Sequence, residues 1–314
     1  MGARVFIDGE AGTTGLGIAE RLAHVPEISL IRLAGERRKD PAARRDAMAA
    51  ADVAVLCLPD AAALGAVELA AALGADAPRL LDASTAHRTA EGWAYGFPEL
   101  CPGQAAAITR ASRVANPGCY PTGGIALLRP LVDAGILPPT APVTVNAVSG
   151  YSGGGKSMIA AHEADGGPAF ELYGLGLDHK HLAELQRHAG LSRRPIFVPS
   201  VGHFRQGMLV SIPLHYELLA EGTTGARLRE VLEARYSNTA LVRVLPATED
   251  TRLEPEALNG TDLLELRVYA NDARGQVVLV ARLDNLGKGA SGAAVQNLCL
   301  MLDLPAPAAS GAEA

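Results

Sequence analysis

Gly9, Gly12 and Gly15 form a G-x-x-G-x-x-G run between the apolar stretch RVFID (4–8) and the helical stretch LGIAERLAHV. A strand that ends on such a loop and restarts as a helix can turn tightly. It brings a phosphate to the free N–H groups at the helix N-terminus. The chain beyond keeps the alternation. ISLIRLA (28–34), VAVLCLP (53–59) and RLLDAS (79–84) read as strands, and PAARRDAMAA and AAALGAVELAAALG read as helices between them. VAVLCLP is almost continuously apolar, as suits a parallel strand buried on both faces. The spacing predicts an α/β fold: a doubly wound, Rossmann-type dinucleotide domain, with ASRVANPG (111–118) as its last strand.

The pattern changes near residue 142. VTVNAVS, IFVPSVG, MLVSIPLHY, LVRVL, ELRVYAN and VVLVARLD alternate partially with period two, and few helices separate them. That predicts an α+β domain with a mixed, mainly antiparallel sheet. GASGAAVQNLCLMLDL is apolar at helical spacing and is expected to return to the first domain. The expected division is 1–117 with 286–304, then 118–285, with 305–314 as a disordered tail.

A chain of 314 residues with 48% hydrophobic composition has enough material for two cores. Its formal net charge of −6, without a basic block, argues against nucleic acid as a partner. No apolar run approaches the ~20 residues needed to span a bilayer. The first residues enter a strand at once and leave no room for a signal peptide. Cys57, Cys101, Cys119 and Cys299 form no C-x-x-C, which argues against a metal site or a redox pair. Together these features predict reduced thiols in a cytoplasmic protein.

The run after the second strand reads AGERRKD. Glu36 stands where a ribose-binding acid is wanted, but Arg37, Arg38 and Lys39 follow it. A basic cluster there suits a 2′-phosphate, hence NADP(H), although a solvated turn would read the same.

NPGCYPTGG (116–124) is the sharpest local signal. Cys119 follows a predicted strand, and Pro121 suits the first turn of a helix expected to run through Leu128. A thiol there meets the positive end of the helix dipole, where thiol pKa values fall to ~3.5–7.5. A nucleophile follows more readily than a core cysteine, because Gly, Pro and Tyr flank it. Its proton partner is sought in YGLGLDHKHLAEL, where His179 and His181 stand two apart with Glu184 nearby.

Residues 150–157, GYSGGGKS, match the phosphate-loop pattern G-x-x-x-x-G-K-S. The context opposes a nucleotide triphosphatase. The preceding strand carries Thr144 and Asn146, the following helix is expected to be about two turns and to stop by Pro168, and no acid is free to hold magnesium.

GEAGTTG, NPGCYPTGGIALLRPL, VNAVSGYSGGGK, YGLGLDHKH and LDNLGKGASGAAVQN together resemble the shorter form of the N-acetyl-gamma-glutamyl-phosphate reductase family, nearly end to end. The broader relatives are aspartate-semialdehyde dehydrogenases. The resemblance implies NADPH-dependent reduction of an acyl phosphate in arginine biosynthesis, on a two-domain homodimer or homotetramer. It implies Cys119 as nucleophile and His179 as acid–base, supported by His181 and Glu184. It implies cofactor contacts at Gly9, Gly12, Thr13, Thr14, Gly15, Arg37, Arg38, Pro59, Ser84, Asn285, Lys288 and Gly289. Substrate contacts would fall on Arg88, Asn116, Ser149, Gly150 and Lys156. Ala183 replaces a usual Pro, and Gln206 stands where the longer form tends to have Arg. Another acyl-phosphate or semialdehyde dehydrogenase, including one acting on a carrier-bound substrate, and a non-catalytic NADP-binding regulator remain as alternatives.

Overall fold

The computed structural model describes residues 2–305, which form two compact units. The first takes the chain up to residue 98, residues 103–117 and the chain from 290 onward; the second takes 99–102 and 118–289. Of the tail at 305–314, only Pro305 is among the described residues.

In the first unit the strands are β1 (Ala3–Asp8), β2 (Ile28–Ile31), β3 (Val53–Leu56), β4 (Arg79–Asp82), β5 (Ala94–Tyr95) and β6 (Arg113–Ala115), all pairing in parallel in the order β2-β1-β3-β4-β6-β5. The order reverses between β1 and β3, and that switch point is where open α/β sheets bind ligands. Alternate side chains fill opposite layers. Val5, Ile7, Val53 and Val55 pack with Ile18 and Leu22 of α1 (Thr13–Leu22), and with Ala294 and Leu298 of the helix Gly292–Met301. Phe6, Ala54 and Leu56 pack instead with Met48 of α2 (Pro41–Ala49) and Ala66 of α3 (Asp60–Ala71). A further short helix, α4 (Gln104–Arg110), precedes β6.

The strands are shorter than the apolar runs suggest. β2 ends at Ile31, β3 at Leu56 and β4 at Asp82, because the chain leaves the sheet to build the loops at its C-terminal edge. Similarly, β6 covers only residues 113–115 of the expected 111–118.

The second unit opens with α5 (Cys119–Asp133). It continues through β7 (Thr144–Gly150), α6 (Gly155–Asp165), β8 (Phe170–Leu172), α7 (Leu182–Ala189), β9 (Ile196–Gly202), β10 (Met208–His215), α8 (Gly225–Tyr236), β11 (Val242–Val244), β12 (Leu264–Asn271) and β13 (Gln276–Leu283). Its seven strands form one mixed sheet in the order β11-β12-β13-β10-β7-β9-β8. Met208, Val210, Ile212 and Leu214 turn one face of β10 inward. Helix α5 lies close on that face: a Cβ at Gly123 would stand 3.0 Å from Val210, and one at Gly124 would stand 2.8 Å from Leu185 of α7. The paired glycines of CYPTGG are therefore contact points rather than helix breakers, and α5 runs five residues beyond the expected Leu128. The expected fold class, a Rossmann-type sheet with a second, mixed sheet, is the one observed.

Helix α6 departs from expectation. It has 11 residues, about three turns where two were expected, and ends before Pro168 at the glycine pair, where Gly166 caps it in the left-handed conformation. The loop before it still differs from a phosphate loop: β7 runs antiparallel to β10 and parallel to β9, and Lys156 and Ser157 are exposed.

Candidate active site

Cys119 is the first residue of α5. Gly118 caps the helix without a side-chain bond, and the thiol sits at the positive end of α5. The Gly118 N–H itself is taken: it donates to Glu184 Oε1 at 2.7 Å, and Glu184 is buried on α7. Glu184 thus fixes the entry to the helix that carries the thiol. Gly289 closes the other side, since a Cβ there would stand 3.0 Å from the Cys119 Cβ. It lies in a π-helical turn, Gly287–Ser291, a distortion frequent at functional sites.

Next to Cys119, Tyr120 forms the centre of an aromatic cage. Its ring meets His179, His181 and Phe197 at centroid distances of 6.3, 6.0 and 5.3 Å. Tyr173 lies 5.8 Å from His179 and donates its hydroxyl to the Tyr120 hydroxyl at 3.1 Å. Tyr120 in turn donates to the Ser200 carbonyl. Burial pushes the Tyr173 phenol up to about 12 and raises that of Tyr120 well beyond it, so both rings are neutral walls.

His179 precedes α7 in a tight turn. Its carbonyl accepts from the Leu182 N–H, and its Nδ1 accepts from the His181 N–H at 3.1 Å. A neutral imidazole that accepts at Nδ1 carries its proton on Nε2. Burial, aided by Lys180, lowers its pKa from 6.5 to about 4. His179 is therefore a neutral N–H donor at physiological pH, able to hydrogen-bond a developing oxyanion. The sign has a stability consequence. The unfolded chain binds the proton more readily between about 4 and 6.5, so this group's contribution to stability falls as pH drops through that window. In an NMR titration the His179 ring should titrate near 4. A midpoint near 6.5 would contradict the caged, neutral ring.

The remaining cysteines differ in kind. Burial, with Asp82 and Asp8 nearby, pushes Cys57 up to about 12, and burial with Glu27 pushes Cys299 up to about 11. Both stay protonated thiols at neutral pH.

In the first unit, the glycine loop closes the C-terminal edge of β1 and β3. Gly9 has φ +89°, and a Cβ there would stand 2.3 Å from the Cys57 carbonyl oxygen. The Gly12 N–H donates to the Gly9 carbonyl, and Gly12 leads into α1 at Thr13 and Thr14 without a capping side chain. A cavity of about 530 Å³ adjoins this loop, lined by Gly9, Ala11, Leu33, Arg38, Lys39 and Arg44 among others. The acids Asp8, Glu10 and Glu36 line it too; the glycine cradle at the start of α1, with Arg38, Lys39 and Arg44 opposite these acids, fits a phosphorylated dinucleotide. Arg37 is exposed in the 3₁₀ turn Gly35–Lys39 and does not line the cavity. Pro59 precedes α3 at the same edge of the sheet.

Four of the implied ligand contacts make bonds within the protein. Lys288 is buried, and its Nζ pairs with Glu99 at 2.8 Å. Asn285 bridges the Gly207 N–H and the Ser152 hydroxyl. Ser84 donates its only hydroxyl proton to Asp82, which also binds His87. Asn116 donates to the Ala290 carbonyl and accepts from Asn297. Each of these side chains is buried, and its hydrogen bonds hold the local fold. Gln206 likewise donates to the buried Asp284.

Ser149, at the end of β7, bonds to Tyr120 and so belongs with Cys119, His179, His181, Glu184 and Gly289 in the second unit. At Gly150 a Cβ would stand 2.6 Å from the Arg205 and Gln206 backbone. Arg88 belongs to the first unit and donates to the Ala83 carbonyl.

Residues 119–285 match the family model described as semialdehyde dehydrogenase, dimerisation domain. N-acetyl-gamma-glutamyl-phosphate reductase from Burkholderia cenocepacia is 54% identical over 305 residues, 95% of this chain and 96% of the relative. N-acetyl-gamma-glutamyl-phosphate reductase 2 from Pseudomonas putida is 53% identical over 304 residues, with the same shares. The chain belongs to the N-acetyl-gamma-glutamyl-phosphate reductase family. Among solved structures, aspartate semialdehyde dehydrogenase II from Vibrio cholerae superposes with a TM-score of 0.73 at 18% identity, over 96% of this chain and 99% of that one. That likeness extends the reductase family's fold to the dehydrogenases.

Proposed function

We propose that this chain reduces N-acetyl-gamma-glutamyl phosphate to N-acetylglutamate 5-semialdehyde with NADPH, releasing phosphate, in cytoplasmic arginine biosynthesis. The observation that carries the chemistry is a thiol at a helix N-terminus in the same unit as a caged, neutral histidine. Relatives above 50% identity supply the substrate's name. All four cysteines are free thiols, which suits a reducing compartment.

The Cys119 thiolate, favoured by the positive end of α5, attacks the acyl carbon. The C–O bond to phosphate breaks, phosphate leaves, and a thioester remains on Sγ. First-turn N–H groups of α5 stabilise the tetrahedral oxyanion. NADPH, when bound, supplies the hydride that reduces this thioester. His179 donates an Nε2–H hydrogen bond to the oxygen of the resulting tetrahedral adduct and holds its charge until the C–S bond breaks, which returns the thiolate and frees the aldehyde. Ser149 and the Gly150 backbone line the substrate's path, and Lys156 on α6 offers a cation to its anionic groups. Run in reverse, NADP reduction should require N-acetylglutamate semialdehyde and phosphate or arsenate together. Equal rates with aspartate semialdehyde, or none with either, would reject the reading.

The chain works as an assembly of at least two copies. The sheet face turned away from α5 holds an apolar hollow of about 600 Å³, lined by Val148, Phe170, Leu172, Val198, Leu209 and Val278 among others. Phe170 is 58% exposed and Leu172 47%. A second copy is the occupant that matches a family model described as a dimerisation domain. Light scattering should give at least twice the chain mass, and Phe170→Glu with Val278→Glu should reduce it to one chain. A monomeric wild type would refute this.

A further inference from the structure

We propose that Arg44, held by Asp8, is the residue that grips the 2′-phosphate of the dinucleotide and selects NADPH over NADH. The inference rests on the NADPH reading above. Asp8 ends β1, immediately before Gly9, and is 3% exposed. A carboxylate buried at the mouth of a phosphate-binding loop needs a cation. Arg44 provides it from the first turns of α2, with Nε 3.0 Å and Nη2 2.6 Å from Asp8 Oδ2. That fork uses one edge of the guanidinium. Nη1 forms no bond to any described residue, while Arg44 lines the cavity beside the glycine loop.

The neighbouring groups leave Arg44 this task. Arg38 turns its Nε to the carbonyl of Gly35, and Lys39 stands 4.0 Å from Glu36, both far more exposed than Arg44. Arg44 keeps only 20% of its side chain accessible. A guanidinium locked on one edge and open on the other loses little freedom when it binds an anion, so its discrimination is greater than that of a loose lysine. Asp40 fixes the approach by capping α2 through the Ala42 N–H, with Pro41 as the first helical residue.

The test uses 2′,5′-ADP and 5′-AMP as probes, titrated calorimetrically into the full-length protein. Wild type should bind 2′,5′-ADP more tightly. Asp8→Asn with Arg44→Gln removes both charges, so no buried ion is left unpaired. In that variant 2′,5′-ADP should weaken about 10- to 100-fold, the worth of a charge-assisted contact, while 5′-AMP is unchanged. Arg44→Lys, which keeps the charge without the fork, should fall between the two. A folded double variant that retains the wild-type preference overturns the inference. If the double variant fails to fold, unchanged 2′,5′-ADP affinity in Arg44→Lys overturns it instead. A wild type that binds both probes equally defeats the NADPH reading itself, a separate failure.

Discussion

Cys119→Ser lowers reductase turnover by roughly 10³-fold or more, the scale on which removal of a nucleophile acts, and leaves NADPH affinity intact. The serine hydroxyl keeps the volume and the place at the α5 N-terminus, so Gly289 and Glu184 hold the loop as before. It ionises far less readily than a thiol, and the same helix dipole no longer yields a nucleophile. Steady-state assays and NADPH titration check both halves. Cys57→Ala and Cys299→Ala should leave chemistry unchanged, since those thiols stay protonated. Activity above about a tenth of wild type in Cys119→Ser, against the ≥10³ loss expected for a nucleophile, would end the assignment.

Lys288→Met destabilises the protein by about 3–5 kcal/mol, because it removes the cation that Glu99 pairs with in the core. Both partners are almost wholly enclosed. Removing the pair together, Lys288→Met with Glu99→Leu, should recover most of that loss, and NADPH affinity in the double variant should match wild type. Urea unfolding and NADPH titration separate the outcomes. A double variant of normal stability that no longer binds NADPH would return Lys288 to the cofactor.

The contrast between Cys119 and Lys288 marks what was legible in the sequence. The strand-to-helix position of Cys119 is local, written in nine consecutive residues, and the structure keeps it. The Rossmann-type sheet was legible for the same reason: VAVLCLP can be little else than a strand covered on both faces. Lys288 looks like a ligand because it lies in a glycine-rich run. Its partner, Glu99, is 189 positions away in sequence, and no local pattern links them. The one available hint was an acid inside the apolar run YGFPEL. The partners of Asn285, Asn116 and Ser84 were equally hidden, since residue type does not reveal which partner a side chain meets. The Arg44–Asp8 pair was not read from the sequence either. Its signal was Asp8, a charge at the end of an apolar strand whose burial demands a distant cation. Strand β8 was unreadable because all three of its residues are exposed, which removes the alternation that reveals a strand. Helix α6 is about a turn longer than expected, yet it stops where the glycine pair before Pro168 was expected to stop it, with Gly166 as a left-handed cap.

The central claim is that the acyl group passes through a thioester on Cys119. Mixing the protein with N-acetylglutamate semialdehyde and NADP in the absence of phosphate should trap it. NADPH should appear as a burst of one equivalent per active site and then stop. Peptide mass spectrometry of the quenched sample should find one N-acetylglutamyl group on the peptide carrying Cys119, and added phosphate should discharge it. Steady NADPH formation without phosphate, or an acyl group on any other residue, would contradict the account.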